Sequence, residues 1–207
     1  LQNPKIHLHI NDLPDNITLG KELAIDTETM GLNLKRDRLC LLQIKDTSKD
    51  VHLIQFVNNN YAAPNLKKIL DNKETLKIFH YARFDILAIY KYLGILSENV
   101  FCTKIASKLC RTYTDKHSLK ELCKELLNAE LQKEQQSSDW GATNLTHEQQ
   151  IYAASDVLYL HKIKETLEAR LIREKRWFLA KSCFNFLPSQ AILDDLGFDE
   201  EKDVFKH

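Results

Sequence analysis

AIDTETMGL, residues 24–32, sets two carboxylates, Asp26 and Glu28, one residue apart between a short apolar run and a glycine. The run 23–25 reads as a strand. Residues two apart on a strand leave the same face, so the two acids point together at the strand's end. Carboxylates held that close repel, and they either share a proton or are neutralised by a cation. A solvated strand terminus is the alternative reading of the same spacing.

Working outward, the apolar runs 39–44 and 51–56 are separated by the turn-forming stretch Asp46-Thr47-Ser48-Lys49-Asp50. With 23–25 they predict a three-stranded meander. Pro64 opens a helix carried by Leu66, Ile69 and Leu70, which the polar residues 71–74 end. LKIFH, 76–80, then reads as a buried strand, and 84–93 as a helix closed by Gly94. Ser118-Leu119-Lys120-Glu121 is a capping box ahead of a stripe of Leu119, Leu122, Leu126 and Leu127. Thr146-His147-Glu148-Gln149 is a second box. It opens a helix that carries Ile151, Ala154, Val157 and Leu158 and is expected to run past Leu167. Strands first and helices later predict an α/β fold, a mixed sheet covered by helices.

The composition bounds the function. At 207 residues the chain fits one domain, 1–207, and its 43% hydrophobic and 28% charged content excludes intrinsic disorder. Lys plus Arg and Asp plus Glu both count 29, so no net positive charge draws a long polyanion from afar and any nucleic-acid contact must be local. Five cysteines without a CxxC pair read as reduced core thiols of a cytoplasmic protein. No apolar run approaches the roughly 20 residues that span a bilayer, which argues against a membrane partner. Basic residues crowd 162–181 and acidic ones 194–203. They read as solvated faces or as a subunit contact, with 172–207 forming a C-terminal helical and tail extension.

Two further segments join the opening motif. In HYARFDILAIY, 80–90, Asp85 stands between a buried strand and an apolar helix, where an unpartnered acid is costly. In QIYAASDVLYLHKI, 150–163, Tyr152 and Asp156 are four apart and share a helix face. Asp26, Glu28, Asp85 and Asp156 together make an all-oxygen donor set suited to Mg²⁺ or Mn²⁺ rather than to zinc. Two such ions about 3.5 to 4 Å apart can activate water and stabilise the leaving oxygen of a phosphodiester.

The order AIDTE, HYARFD, YAASDVLYL resembles the DEDD exonucleases of the tyrosine-bearing subclass, relatives of ribonuclease D and of proofreading exonuclease domains. The likeness covers roughly residues 23–171. It implies a ribonuclease H-like fold with a mixed five-stranded sheet, two metals on Asp26, Glu28, Asp85 and Asp156, and Tyr152 positioning the attacking water. The implied products are nucleoside 5′-monophosphates from the 3′ end. RDRLCLLQI, FCTKIASKLCRTYTDKHSLKELCKELL, KEQQSSDW and CFNFLPSQAILDDLGF look like the short nanoRNase C branch. That branch trims very short RNAs, dinucleotides above all, and is described as a ring of eight subunits.

Candidate substrate contacts come from the residues themselves, with the likeness supporting the first of them. Thr29, Met30, Gly31 and Leu32 would grip the 3′ nucleotide, Gly31 by allowing close backbone approach and Leu32 as a wedge between bases, a loop glycine followed by a core leucine being the alternative reading. His80 and Arg83 flank the third acid within reach of phosphate, His80 being equally readable as a core histidine. Lys133, Gln136, Ser137, Ser138 and Trp140 offer a cation, hydrogen-bond donors and a stacking surface. Arg111 and Tyr113 are candidates for a 5′ phosphate or a subunit contact. A general ribonuclease D-type exonuclease and a catalytically silent RNA-binding module remain as competing readings.

Overall fold

The computed structural model describes residues 4–131, 138–198 and 202–205. Its centre is a sheet of six strands, β1 (Lys5–Ile10), β2 (Glu22–Thr29), β3 (Leu39–Lys45), β4 (Asp50–Gln55), β5 (Leu76–Phe79) and β6 (Val100–Cys102), in the order β1-β4-β3-β2-β5-β6. β2, β3 and β4 form the expected antiparallel meander. β1 joins β4, β5 joins β2 and β6 joins β5 in parallel. The sheet is mixed, as expected, but has six strands rather than five. The two additional strands lie at its edges: β1 alternates Ile6, Leu8 and Ile10 with His7 and His9 but buries no residue fully, and β6 is three residues long, too short to display a period. β3, buried at every position, is the continuous apolar run of a strand covered on both faces.

The helices are α1 (Pro64–Asp71), α2 (Ala82–Leu93), α3 (Thr103–Cys110), α4 (Leu119–Leu127), α5 (His147–Leu158), α6 (Leu160–Arg173) and α7 (Trp177–Asp195). α2 starts two residues earlier than its apolar period, because Tyr81 turns the chain at φ 70°, and it ends at Gly94 with φ 71°. Thr146 and Gln149 make both bonds of the capping box that opens α5. The long helix expected past Leu167 breaks at Tyr159. There α5, with Ala153, Ala154 and Val157 inward, hands over to α6, with Leu160, Ile163 and Leu167 inward.

α7 lies on α2 and β6. Its Ala180, Phe184, Leu187 and Ala191 are buried, and the Phe184 ring sits 4.8 Å from that of Phe101. The extension read into 172–207 therefore shares the core of the sheet, while Phe178, Phe186 and Leu196 stay exposed. Four cysteines are buried as expected. Cys183 is exposed, since Ala180, Phe184 and Leu187 take the inward stripe of α7. Among the described residues no helix is long and apolar enough to cross a membrane.

Candidate active site

β2 carries Asp26 and Glu28 beneath α5, which crosses β2, β3 and β4 and brings Asp156 down from above. Carboxylate oxygens of Asp26, Glu28 and Asp156 all lie within 4.8 Å of one another, the one such set of three metal-ligating side chains among the described residues. A β-bulge at Glu28/Thr29, where the partner jumps from Leu41 to Leu39, bends the strand just past the second acid. Asp85, in the first turn of α2, stands outside that triplet. It accepts a 2.7 Å hydrogen bond from the Thr27 hydroxyl and is 3% exposed.

Burial and mutual repulsion set the charges here. Glu28 is pushed up to about 9, first by burial and then by Asp156 and Asp85. Asp26 is raised well above the carboxylate range by burial and by Asp85, Asp156 and Glu28. Asp85 and Asp156 rise to about 7 through burial, restrained by bonds from Thr27 and Tyr152 respectively. Four acids so placed cannot all ionise without a cation, and an all-oxygen donor set fits a hard divalent ion. Tyr152, hydrogen-bonded to Asp156, has its hydroxyl raised by burial and by the surrounding carboxylates, so it stays protonated.

Trp140 is 3% exposed and packs its ring 6.0 Å from that of Tyr152. It is the wall behind the tyrosine rather than an open stacking surface, because the loop before α5 folds it under that helix. Lys133, Gln136 and Ser137 lie outside the described residues, and Ser138 is partly buried, its carbonyl accepting from Trp140 N–H.

The other expected contacts divide. Thr29 is buried and donates its hydroxyl to Gly31 O at 2.6 Å, whereas Met30 and Leu32 are exposed, Leu32 by 87%. A Cβ on Gly31 would come within 2.4 Å of Asp37 Oδ2, so this glycine is required by the Asp37 carboxylate, which also accepts from Asn33 N–H and Arg36. Leu32 lines a cleft of about 440 Å³ with Tyr81, Arg83, Phe84, Lys91 and Asp194. None of the four acids lines it, but Phe84 adjoins Asp85. Arg83 makes a two-point ion pair with Asp194 of α7 at 2.8 and 2.6 Å, so it faces the cleft already paired. His80 bonds the Thr103 hydroxyl, which itself donates to Phe79 O, and burial lowers its pKa to about 3, making it a neutral, anchored histidine. Arg111 is fully buried against Glu125, Ser107 and Lys116 O, and Tyr113 bonds the same Glu125. Arg111 is thus a structural cation and offers nothing to a phosphate at the surface.

A 3′-5′ exonuclease family model, of the DNA polymerase A type, matches residues 9–172. The chain belongs to that exonuclease family. The exonuclease is 30% identical over 154 residues to ribonuclease D of Bartonella henselae, covering 74% of this chain and 37% of that protein. Brucella melitensis NrnC bound to pGG superposes with a TM-score of 0.93 at 50% identity, over 99% of each chain. Brucella melitensis NrnC with bound Mg²⁺ matches at a TM-score of 0.92 and 49% identity, over 98% of this chain and 99% of that one. Escherichia coli RNase D shares the fold, with a TM-score of 0.72 at 24% identity. The exonuclease spans 37% and 46% of the ribonuclease D proteins of Bartonella henselae and Jannaschia. The acid triplet is a donor set that fits a divalent ion, and a member of the same fold, Brucella melitensis NrnC, is known with Mg²⁺ bound.

Two supporting residues escape a reading of the motifs alone. Thr27 sits inside the DTE motif and steadies Asp85, and Asp37 holds the Gly31 turn. An uncharged residue between two acids on a strand, and a second acid shortly after a glycine, are the only signals either leaves.

Proposed function

We propose that the exonuclease removes nucleoside 5′-monophosphates from the 3′ end of very short RNAs, dinucleotides above all. The observation that carries this reading is the convergence of Asp26, Glu28 and Asp156, whose carboxylate oxygens lie within 4.8 Å of one another. Asp26, Glu28, Asp85 and Asp156 are assigned as the groups that hold Mg²⁺ or Mn²⁺. A pair of such ions supplies activation of water and charge stabilisation at the leaving oxygen.

The remaining steps belong to the chain's own groups. Tyr152, held protonated and backed by Trp140, orients the attacking water by hydrogen bonding and keeps it in line with the phosphorus. Leu32, with Met30 beside it, supplies an apolar edge against which the last base can be parted from its neighbour. A cleft of about 440 Å³ and a chain of zero net charge suit a ligand with few phosphates. The 99% mutual coverage with NrnC bound to pGG favours this reading over a general RNA-processing exonuclease, the reading that the ribonuclease D relatives would favour.

Phe178, Leu196 and Phe205 are each exposed, and we assign to α7 and the residues after it the subunit contacts of a homo-oligomer, with a ring of eight as the expected form. A cytoplasmic location completes the proposal. Hydrolysis of a labelled diribonucleotide should stop in EDTA and return with Mg²⁺ or Mn²⁺, while Asp26→Ala and Asp156→Ala stay inactive but folded. Turnover that persists in chelator, or near-normal rates in either variant, would overturn it.

A further inference from the structure

Three histidine rings gather on the other face of the sheet, set wider apart than the acid oxygens. The register places Asp26 beside Gln43 and Gln43 beside Leu53, so His52, one residue from Leu53, leaves the opposite face. His7 of β1 is the direct parallel partner of His52, and His9, two residues on, shares its face. The three rings gather at the sheet edge, with centroids 5.1 Å apart for His7 and His52, 5.3 Å for His9 and His52, and 6.3 Å for His7 and His9.

Two of the nitrogens already face each other, and His7 must turn to join them. His9 Nε2 and His52 Nδ1 face each other at 3.0 Å, so one of them must hold the proton between them. A metal ion can take that proton's place. With Zn–N bonds of about 2.0 to 2.1 Å, two tetrahedral nitrogen ligands stand about 3.4 Å apart, a small outward adjustment from the observed pair. His7 Nε2 bonds Asp50 Oδ1 at 3.0 Å, which leaves Nδ1 as the lone-pair nitrogen. A carboxylate on the far nitrogen is the usual outer support of a ligating histidine. The His7 ring now lies stacked on the other two with its side chain 30% exposed, and a tilt about its Asp50 bond would bring Nδ1 toward them.

We propose that His7, His9 and His52 form a second metal site, separate from the acids, for a borderline transition-metal ion such as Zn²⁺, with Asp50 orienting His7. Three imidazoles discriminate against Mg²⁺, which prefers oxygen, and favour Zn²⁺, Ni²⁺ or Cu²⁺. Burial holds His9 and His52 below the ordinary histidine value, with help from their neighbouring imidazoles, which keeps both rings neutral and fit to ligate. The ion would pin the edge strand β1 to β4 across 43 residues of sequence.

The test is calorimetric titration of the full chain with Zn²⁺ in excess Mg²⁺, which competes for the carboxylates, run in parallel on Asp26→Asn. Wild type should bind one Zn²⁺ per chain with a rise in melting temperature. His9→Asn/His52→Asn should weaken binding at least tenfold and abolish the rise, with diribonucleotide hydrolysis in Mg²⁺ unchanged. Cu²⁺ loaded under the same conditions should give nitrogen hyperfine structure in its electron paramagnetic resonance spectrum, lost in the double variant. Asp26→Asn should keep both signals, which separates this site from the carboxylate one. An unchanged isotherm in a folded, active double variant, or a Cu²⁺ spectrum with oxygen ligation alone, would overturn the proposal.

Discussion

Glu28→Gln keeps the shape of a buried carboxyl and removes its charge, so it isolates what the acid cluster costs the fold. In the metal-free protein Glu28 titrates near 9 against an ordinary value of 4.5. A carboxyl raised in this way contributes fully to stability below its unfolded value, and that contribution is lost as pH rises toward its folded value. At about pH 8 the folded chain must therefore take up a proton that the unfolded chain has released, at about 1.4 kcal/mol for each unit above the unfolded value. That sets an upper limit of about 5 kcal/mol, and relaxation of the site with entry of water reduces the expected cost to about 1 to 2 kcal/mol. Removing it should raise the melting temperature in EDTA by roughly 3 to 6 °C for a chain of this size. In Mg²⁺ the order should reverse, since wild type gains the binding energy of the ion and the variant lacks a ligand. Calorimetric scans in EDTA and in Mg²⁺ at about pH 8 would read both signs, and at about pH 5 in EDTA the two proteins should converge. A variant less stable than wild type in EDTA, or one with an undiminished response to Mg²⁺, would refute the electrostatic reasoning.

Tyr152→Phe removes the hydroxyl that orients water and leaves the ring against Trp140, so kcat should fall by about 10² to 10⁴ with little change in KM. An unchanged kcat in single-turnover assays would take the tyrosine out of the chemistry. Leu32→Ala trims a side chain that is 87% exposed, so melting should be unaffected while KM for a diribonucleotide rises by at least about fivefold. Equal kinetics would mean that the base edge is held elsewhere.

The motif residues were legible in the sequence because their chemistry is local. Alternation on β2 puts Asp26 and Glu28 on one face, and helical spacing puts Tyr152 and Asp156 on another, whatever the rest of the chain does. The central strands were legible for the same reason, their apolar runs being continuous. What the sequence hid depends on partners distant along the chain. Arg83 looked like a phosphate ligand until α7, more than a hundred residues later, brought Asp194 to it. Trp140 looked like an open platform because nothing local says that α5 covers it, and Arg111 because Glu125 folds back over it. β1 was legible after all, Ile6, Leu8 and Ile10 alternating with His7 and His9, although its edge position leaves none of them fully buried. The break at Tyr159 hid because an apolar period continues across it and only the backbone angles reveal the handover.

The most direct measurement of the central claim is one time course on 5′-labelled RNAs from two nucleotides to about ten, read as kcat/KM for each length in Mg²⁺. The account predicts that the dinucleotide disappears fastest, in wild type only, with Asp156→Ala inert at every length. Equal or faster trimming of the longest RNAs would contradict it and make the chain a general 3′-5′ exonuclease.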